Sequence, residues 1–501
     1  MAYSIGFSNF RQFKHFPAIP IKDITILVGC NNAGKSTLVK ALLLMGDFFR
    51  HGDYITGWYN ERLRAHAEDT HSDIYMSVTE GKTPRFYFDR LYNAHIGTFH
   101  RALCNHADSG AITFECSDKL IKVEFTIEAD PKDERATNAP ITVVRITDPR
   151  RNVLYSWDYR KRQITVTFNS FPLKGYENDA LKAYFASVPD NATFNLPMTF
   201  NAVWRPHEFR GILSYVKTRI DATTGEGKLD TETRERMAIP GLSDDLVRFL
   251  KEQKKVYDLD HFPSALQFMP GAEGNEIVYI YAHAISQNVV FSTKDYSNDY
   301  VSQTVHDFAE PAVQANENVR PFVRKWLKEF QIGDDYEIIS IGGEAHVVNI
   351  ISADGSKVNM ADKGMGAIQL IVLLFRLAKI MTGKLVDTEH KLVIIEEPEL
   401  NLHPSLQSKL ADFFYIMNRD HHFRFIVETH SEYLVRKTQV FVMKDKLAEE
   451  GHENPFAVYY FNGNNYEKPC YEMKYQPDGA FKNDFGEGFY DEAFNLAFEI
   501  L

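Results

Sequence analysis

The chain has 501 residues, 44% hydrophobic and 25% charged, so it exceeds one ordinary domain and can bury a large core. A formal net charge of −12 excludes a surface dominated by nucleic-acid electrostatics and leaves only a local basic patch for such a role. Four cysteines without C-x-x-C spacing, no basic-then-apolar start and no apolar run of spanning length lead us to expect a reducing, cytoplasmic setting with no membrane segment.

Residues 1 to about 50 predict two strands and a helix, with Phe10, Phe13 and Phe16 as core beside the first strand. Ile24-Thr25-Ile26-Leu27-Val28 is a β-branched run suited to a strand buried on both faces. It leads into Gly29-Cys30-Asn31-Asn32-Ala33-Gly34-Lys35-Ser36-Thr37, which fits the pattern G-x-x-x-x-G-K-[ST]. Leu38, Ala41, Leu42 and Met45 then recur at helical spacing, so Lys35, Ser36 and Thr37 fall in the first turn of a helix. Between strand and helix this pattern is a phosphate-binding loop. Unpaired N–H groups and the helix dipole face the phosphates of a nucleoside triphosphate. Gly29, Asn31, Asn32, Ala33, Gly34, Lys35, Ser36 and Thr37 are therefore expected to bind nucleotide, with Lys35 on the phosphate oxygens and the Ser36 hydroxyl on Mg²⁺. Arg11, just upstream, is a candidate cation for nucleotide or a partner.

From about 70 to 170 the pattern changes to alternating β-branched and aromatic segments at 111–115, 121–127, 141–146 and 164–168, which predict antiparallel strands with one solvated face. Arg150, Arg151, Arg160, Lys161 and Arg162, interleaved with Tyr155, Trp157 and Tyr159, form the strongest basic cluster; it reads either as a nucleic-acid grip or as a solvated hairpin edge. Between about 172 and 265, Asn178 to Ser187 and Ser243 to Lys255 are helix candidates around a polar loop from Asp221 to Asp230. The predicted division is thus an N-terminal lobe at 1–170 carrying the phosphate loop and an antiparallel sheet, a mainly helical insertion at 171–270 for assembly or partner contact, and a C-terminal lobe at 271–501.

In the last part, 277–281 predicts a strand, Val319 to Phe330 an amphipathic helix, and Glu337 to Ile341 and His346 to Ile351 two strands. Leu392-Val393-Ile394-Ile395-Glu396-Glu397-Pro398-Glu399 is a buried strand ending in carboxylates, the form of a Walker B element. Mg²⁺ keeps several waters, so Glu396 is assigned to the metal shell and Glu397 to the attacking water. Phe423-Arg424-Phe425-Ile426-Val427-Glu428-Thr429-His430-Ser431 is another strand-like run, and its His430 is placed to hydrogen-bond the γ-phosphate.

Asn9-Phe10-Arg11-Gln12-Phe13 with the phosphate loop, the run Glu396 to Pro404, and Glu428-Thr429-His430-Ser431 together resemble the ABC-type ATPases of the SMC, RecF and OLD group. More closely, the chain is similar to the stand-alone ATPases of antiphage defence operons, such as the Septu, PARIS and OLD-related ATPases; Gly486-Glu487-Gly488-Phe489-Tyr490-Asp491-Glu492 resembles a Gly-Phe-Phe-Asp-Glu ending among them. The resemblance covers about 1 to 50 and 275 to 501. It implies an α/β fold with an ABC-type P-loop core, ATP and Mg²⁺ as ligands, and an ATP-sandwiched homodimer or higher homo-oligomer. Asp362 to Gln369 takes the place of the ABC signature, so Gly364 and Gly366 are implied to contact the γ-phosphate held by the opposite subunit. The signature serine is missing, which leaves Lys363 or backbone groups in its place. The implied role is a regulator of a separately encoded effector, often a nuclease. The alternative is a RecF-like repair clamp gripping DNA through 150–162.

Overall fold

The computed structural model describes residues 3–51, 85–91, 94–118, 122–148, 153–169, 191–197, 221–225, 229–238, 277–281, 288–292, 299–382, 391–463, 468–486 and 489. Arg150, Arg151, the helix candidates at 178–187 and 243–255, and all but Gly486 and Phe489 of the 486–492 run lie outside them.

The chain opens with three strands, β1 (Tyr3–Phe10), β2 (Phe13–Ile21) and β3 (Ile24–Gly29), and the helix α1 (Lys35–His51). One more strand appears than the sequence predicts. Arg11 takes φ of 54° and its N–H donates to Ala102 O at 2.6 Å, so the aromatic run folds into a tight hairpin with Phe10 opposite Phe13. Strands β4 (Arg85–Tyr87), β5 (Ile112–Ser117), β6 (Lys122–Ile127), β7 (Asn138–Asp148), β8 (Val153–Asp158), β9 (Gln163–Asn169) and β10 (Asn191–Pro197) follow. They join β1 and β2 in an antiparallel sheet of order β10-β9-β8-β7-β6-β5-β1-β2, with β4 on β7. In β5 and β6 buried and half-exposed residues alternate strictly, as one solvated face requires. The core of this unit is aromatic: Phe7 stacks on Phe16 at 4.6 Å and Phe48 on Phe86 at 4.5 Å, and Phe10, Phe13 and Phe16 are all buried as expected. Within 171–270, the described residues hold β10, which extends this sheet, a helical turn at 221–224 where the sequence predicts a loop, and a short helix, Thr231–Met237.

The second part contains β11 (Ile277–Ile280), β12 (Phe291–Ser292), α2 (Tyr300–Ala309), α3 (Val319–Glu329), β13 (Asp335–Ile341), β14 (Ala345–Ile351), β15 (Lys357–Asn359), α4 (Met365–Met381), β16 (Lys391–Glu396), α5 (Pro404–His421), β17 (Phe423–Glu428), α6 (Glu432–Lys444), β18 (Phe456–Phe461) and β19 (Cys470–Met473). Its main sheet has the order β11-β16-β17-β3-β18-β19, parallel except for the edge strand β19. All six residues of β3, β17 and β18 are buried, the pattern of strands covered on both faces. A smaller antiparallel sheet, β12-β14-β13 with β15 on β14, packs Val348 and Ile350 into the same core as Phe308, Trp326 and Phe375.

The chain divides into one unit of Met1–Ile21 and Thr37–Glu276 and another of Lys22–Ser36 and Ile277–Leu501. The phosphate loop therefore belongs with the C-terminal residues, whereas the sequence boundaries grouped it with 1–170. The reason is that β3 pairs with β17 on one side and β18 on the other, and parallel pairing leaves no local trace in sequence. The fold is α/β: a mainly parallel sheet whose β3 runs into the phosphate loop and α1, and an antiparallel β lobe. Among the described residues, no helix is long and apolar enough to cross a membrane.

Candidate nucleotide-binding and catalytic site

Three parallel strands end side by side and carry the expected groups. β3 runs into the phosphate loop, β16 ends at Glu396, and β17 ends at Glu428 in register with Glu396. Ligands of open parallel sheets bind outside such carboxyl ends, where helix N-termini gather. Gly29 begins the loop with φ of 139°, and a Cβ there would stand 2.4 Å from Phe461 O, so only glycine fits. Lys35 is 3% exposed; its ammonium donates to Gly29 O at 2.9 Å and Cys30 O at 3.0 Å. Burial lowers its pKa, while Glu428, Glu397, Cys30 and Glu399 act to raise it.

The Ser36 hydroxyl donates to Glu428 Oε1 at 2.9 Å. Burial first, and then the charge of Glu396, push the Glu428 carboxyl up to about 7. Its second oxygen, Oε2, is buried without a hydrogen-bond partner. An orphaned carboxylate oxygen beside a hydroxyl and a second carboxylate is the hard-oxygen environment that suits Mg²⁺. Among the described residues, no group of three or more His, Cys, Asp or Glu is placed to hold a metal. On the neighbouring β11 the Tyr279 pKa is raised by burial and then by the charge of Glu396.

Glu397 stands in the left-handed region at φ of 45°, a conformation that costs a residue with a Cβ and persists only when its surroundings fix it. Here its N–H donates to Glu428 O at 2.7 Å and its carbonyl accepts from Gln369 Nε2 at 2.9 Å. The side chain leaves the strand end half-exposed, with Oε1 3.9 Å from His430 Nε2. The His430 pKa is lowered by burial and then by Lys35, against the pull of Glu397. Glu399 is buried and accepts from the His430 N–H at 2.7 Å; burial raises its pKa. Ser431 caps α6 by accepting from Leu434 N–H at 3.1 Å, so His430 sits between a strand end and a capped helix.

Lys35, Ser36, Glu396, Glu397 and His430 are thus brought together. Sequence reasoning left Glu428, Glu399, Gln369 and Tyr279 without chemistry. A signal for Glu428 existed, since it ends a buried strand as Glu396 does, but its meaning depends on the two strands being neighbours in register.

In the signature-like turn the two glycines differ in their surroundings. Gly364 is the N-cap of α4 with no side-chain cap, and nothing lies within 4 Å of a Cβ added there. Gly366 instead faces its own chain: a Cβ would meet Asn401 O at 2.6 Å and Leu402 Cδ2 at 2.8 Å. Lys363 is occupied within the chain, donating to Ile332 O at 3.0 Å. Gly366→Ala is therefore expected to lower stability by about 1–3 kcal/mol through overpacking, read as a fall in the denaturant midpoint. An unchanged midpoint would show that the loop at Asn401 moves aside freely.

Of the basic cluster, the described Arg160, Lys161 and Arg162 lie in the exposed turn between β8 and β9. Arg160 pairs with Glu128, and Lys161 Nζ lies 3.5 Å from Asp158 Oδ2. Two of these three cations are thus matched by carboxylates of their own sheet.

Solved structures similar to this chain include the SMC head domain from Thermotoga maritima, 10% identical over 94% of this chain and 99% of that one, with TM-score 0.33. Others are an SMC head bound to the C-terminal winged-helix domain of ScpA (11% identical, 96% of each chain, TM-score 0.37) and an SMC head with an extended coiled coil bound to the C-terminal domain of ScpA derived from Pyrococcus furiosus (11% identical, 100% of each chain, TM-score 0.35). At those scores the likeness adds nothing to the site's own geometry. No curated protein gives a significant match. A family model described as "AAA domain, putative AbiEii toxin, Type IV TA system" matches residues 24–436, from the strand before the phosphate loop to the helix after His430. The chain belongs to this AAA-domain family.

Proposed function

We propose that the chain is a Mg²⁺-dependent ATPase that closes its nucleotide between two copies and thereby controls a separately encoded effector in antiphage defence. The observation that carries the ATPase reading is the bond from Ser36 to Glu428, which ties the phosphate loop to the strand end in register with Glu396 of the Walker B run. Bound there, Mg²⁺ would be held by the Ser36 hydroxyl and by Glu396 and Glu428, and would neutralise charge on the phosphates. Lys35 exchanges the carbonyls of Gly29 and Cys30 for phosphate oxygens. Glu397 orients the attacking water and takes its proton as the water oxygen bonds to the γ-phosphorus and the bond to the bridging oxygen breaks. His430 donates to a γ-phosphate oxygen, and its backbone stays tied to Glu399.

The open N-terminus of α4 at Gly364 supports a composite site, since a cap without a side-chain partner leaves N–H groups for an anion on a second copy. Gln369 ties that same helix to the backbone of Glu397, so docking at Gly364 is transmitted to the water-orienting carboxylate. The defence setting is supported by the sequence resemblance and by the toxin–antitoxin wording of the matched family. Among the described residues, Arg160 and Lys161 of the basic cluster already have carboxylate partners, which weighs against the clamp reading.

The composite site is tested by mass measurement in solution. With Mg-ATP and a hydrolysis-deficient chain, the assembly should grow by pairs of chains relative to the nucleotide-free protein. A monomer that turns over ATP at an undiminished rate would rule out the shared site.

A further inference from the structure

Between β16 and α5 the chain passes from Glu397 to His403 in a loop with two residues in the left-handed region, Glu397 at φ of 45° and Asn401 at 60°. Side chains with a Cβ keep such a shape only where their surroundings fix it. The near end is tied by the Glu397 N–H to Glu428 O and by the Glu399 carboxylate to the His430 N–H. One side chain ties the far end. Gln407, half-buried in the first turn of α5, donates from Nε2 to Leu402 O at 3.0 Å and accepts at Oε1 from the Ser431 hydroxyl at 2.7 Å. A carbonyl can only accept, so Nε2 has to face Leu402, and Oε1 is left for the hydroxyl. Ser431 is 3% exposed and its oxygen accepts from the Leu434 N–H, which commits its proton to Gln407. On the other side of the loop, Asn401 O stands 2.6 Å from where a Cβ on Gly366 would be. The backbone of Asn401 and Leu402 is therefore gripped between the first turn of α4 and Gln407.

We infer that Gln407 is a positioning residue for hydrolysis, on the reading of Glu397 and His430 as the groups that meet water and γ-phosphate: its amide holds the loop that carries Glu397 against the strand end that carries His430. Glutamine suits this place because its tip offers one donor and one acceptor side by side, which a carbonyl and a hydroxyl require together. Glutamate at neutral pH lacks the donor, and leucine lacks both. The loop so held bears on α4, the helix whose N-terminus is open at Gly364, so Gln407 also links the histidine end of the site to that helix. It acts through these neighbours, and nucleotide affinity should not depend on it.

The test uses the full chain with Gln407→Leu and Gln407→Glu, both close to glutamine in size. In Gln407→Leu the Kd for Mg-ATP should stay within about twofold of the wild type, while turnover at saturating ATP falls roughly five- to thirtyfold, the loss of one or two positioning hydrogen bonds. In a His430→Ala background the same substitution should cost less than it does alone, because its effect passes through His430. Gln407→Glu keeps the acceptor for Ser431 and sets a carboxylate oxygen against Leu402 O. Protonation restores the donor, so its deficit against the wild type at the same pH should shrink as pH falls, whereas that of Gln407→Leu should not. Without nucleotide, backbone amides of 399–403 should exchange hydrogen faster in Gln407→Leu, read by mass spectrometry. A damaged fold would weaken Mg-ATP binding together with turnover and would cost as much in the His430→Ala background. Wild-type turnover or wild-type exchange of 399–403 in Gln407→Leu overturns the inference, as does an effect confined to Kd. A wild-type chain that does not hydrolyse Mg-ATP overturns the catalytic reading instead, and the exchange comparison then still decides whether Gln407 holds the loop.

Discussion

Glu397→Gln should bind Mg-ATP as the wild type does and hydrolyse it about 10²–10⁴-fold more slowly, the usual contribution of a positioned base. The substitution keeps the shape of the side chain and leaves the backbone alone. That matters because the αL geometry of Glu397 is fixed by the Glu428 carbonyl and by Gln369, both of which bond main-chain atoms that glutamine retains. What is lost is the capacity to take a proton from water beside His430. Nucleotide titration against phosphate release in a single preparation measures both halves. Equal turnover in the variant and the wild type would remove Glu397 from the chemistry and move attention to Glu428, the other carboxylate at this sheet end.

Lys35→Ala should fail at the earlier step. An ammonium that is 3% exposed and bonded to two loop carbonyls is already desolvated, so little remains to be lost when it turns to phosphate oxygens. A charge-assisted hydrogen bond contributes about 1.5–3 kcal/mol, and its loss corresponds to roughly a ten- to hundredfold weaker Kd or more if several oxygens are contacted. Calorimetric titration with Mg-ATP measures this directly. Unchanged affinity in Lys35→Ala would mean that the phosphates do not lie in this loop. The two variants are complementary, since one separates binding from hydrolysis and the other removes binding itself.

Much of this site was legible because its chemistry is local. The phosphate loop needs a strand before it, a helix after it and glycine at Gly29, and all three are written within a few neighbouring residues. The Walker B carboxylates likewise follow their own apolar run, and the alternation in β5 and β6 shows which face each strand buries. Gly366 illustrates the boundary. A glycine at the start of a helix reads equally well as an anion-facing or a packing residue, and the close approach of the Asn401 carbonyl, a packing reason for glycine at 366, comes from the folded chain alone.

What the amino-acid sequence determined by itself was therefore the set of parts: a triphosphate loop, a carboxylate-ended strand, a histidine after a third strand and an antiparallel lobe. Tertiary structure alone decided how they meet. Ser36 and Glu428 are 392 positions apart, and their bond exists because β3 and β17 are parallel neighbours, a pairing with no local signature. The same pairing takes the loop out of the N-terminal sheet's unit and places it with the C-terminal strands. In the basic turn, Arg160 finds Glu128 from another part of its sheet, which pairs in space a cation that sequence shows only among like charges. In each case the deciding interaction joins residues far apart in the chain, and its strength depends on burial and register that only the folded chain creates.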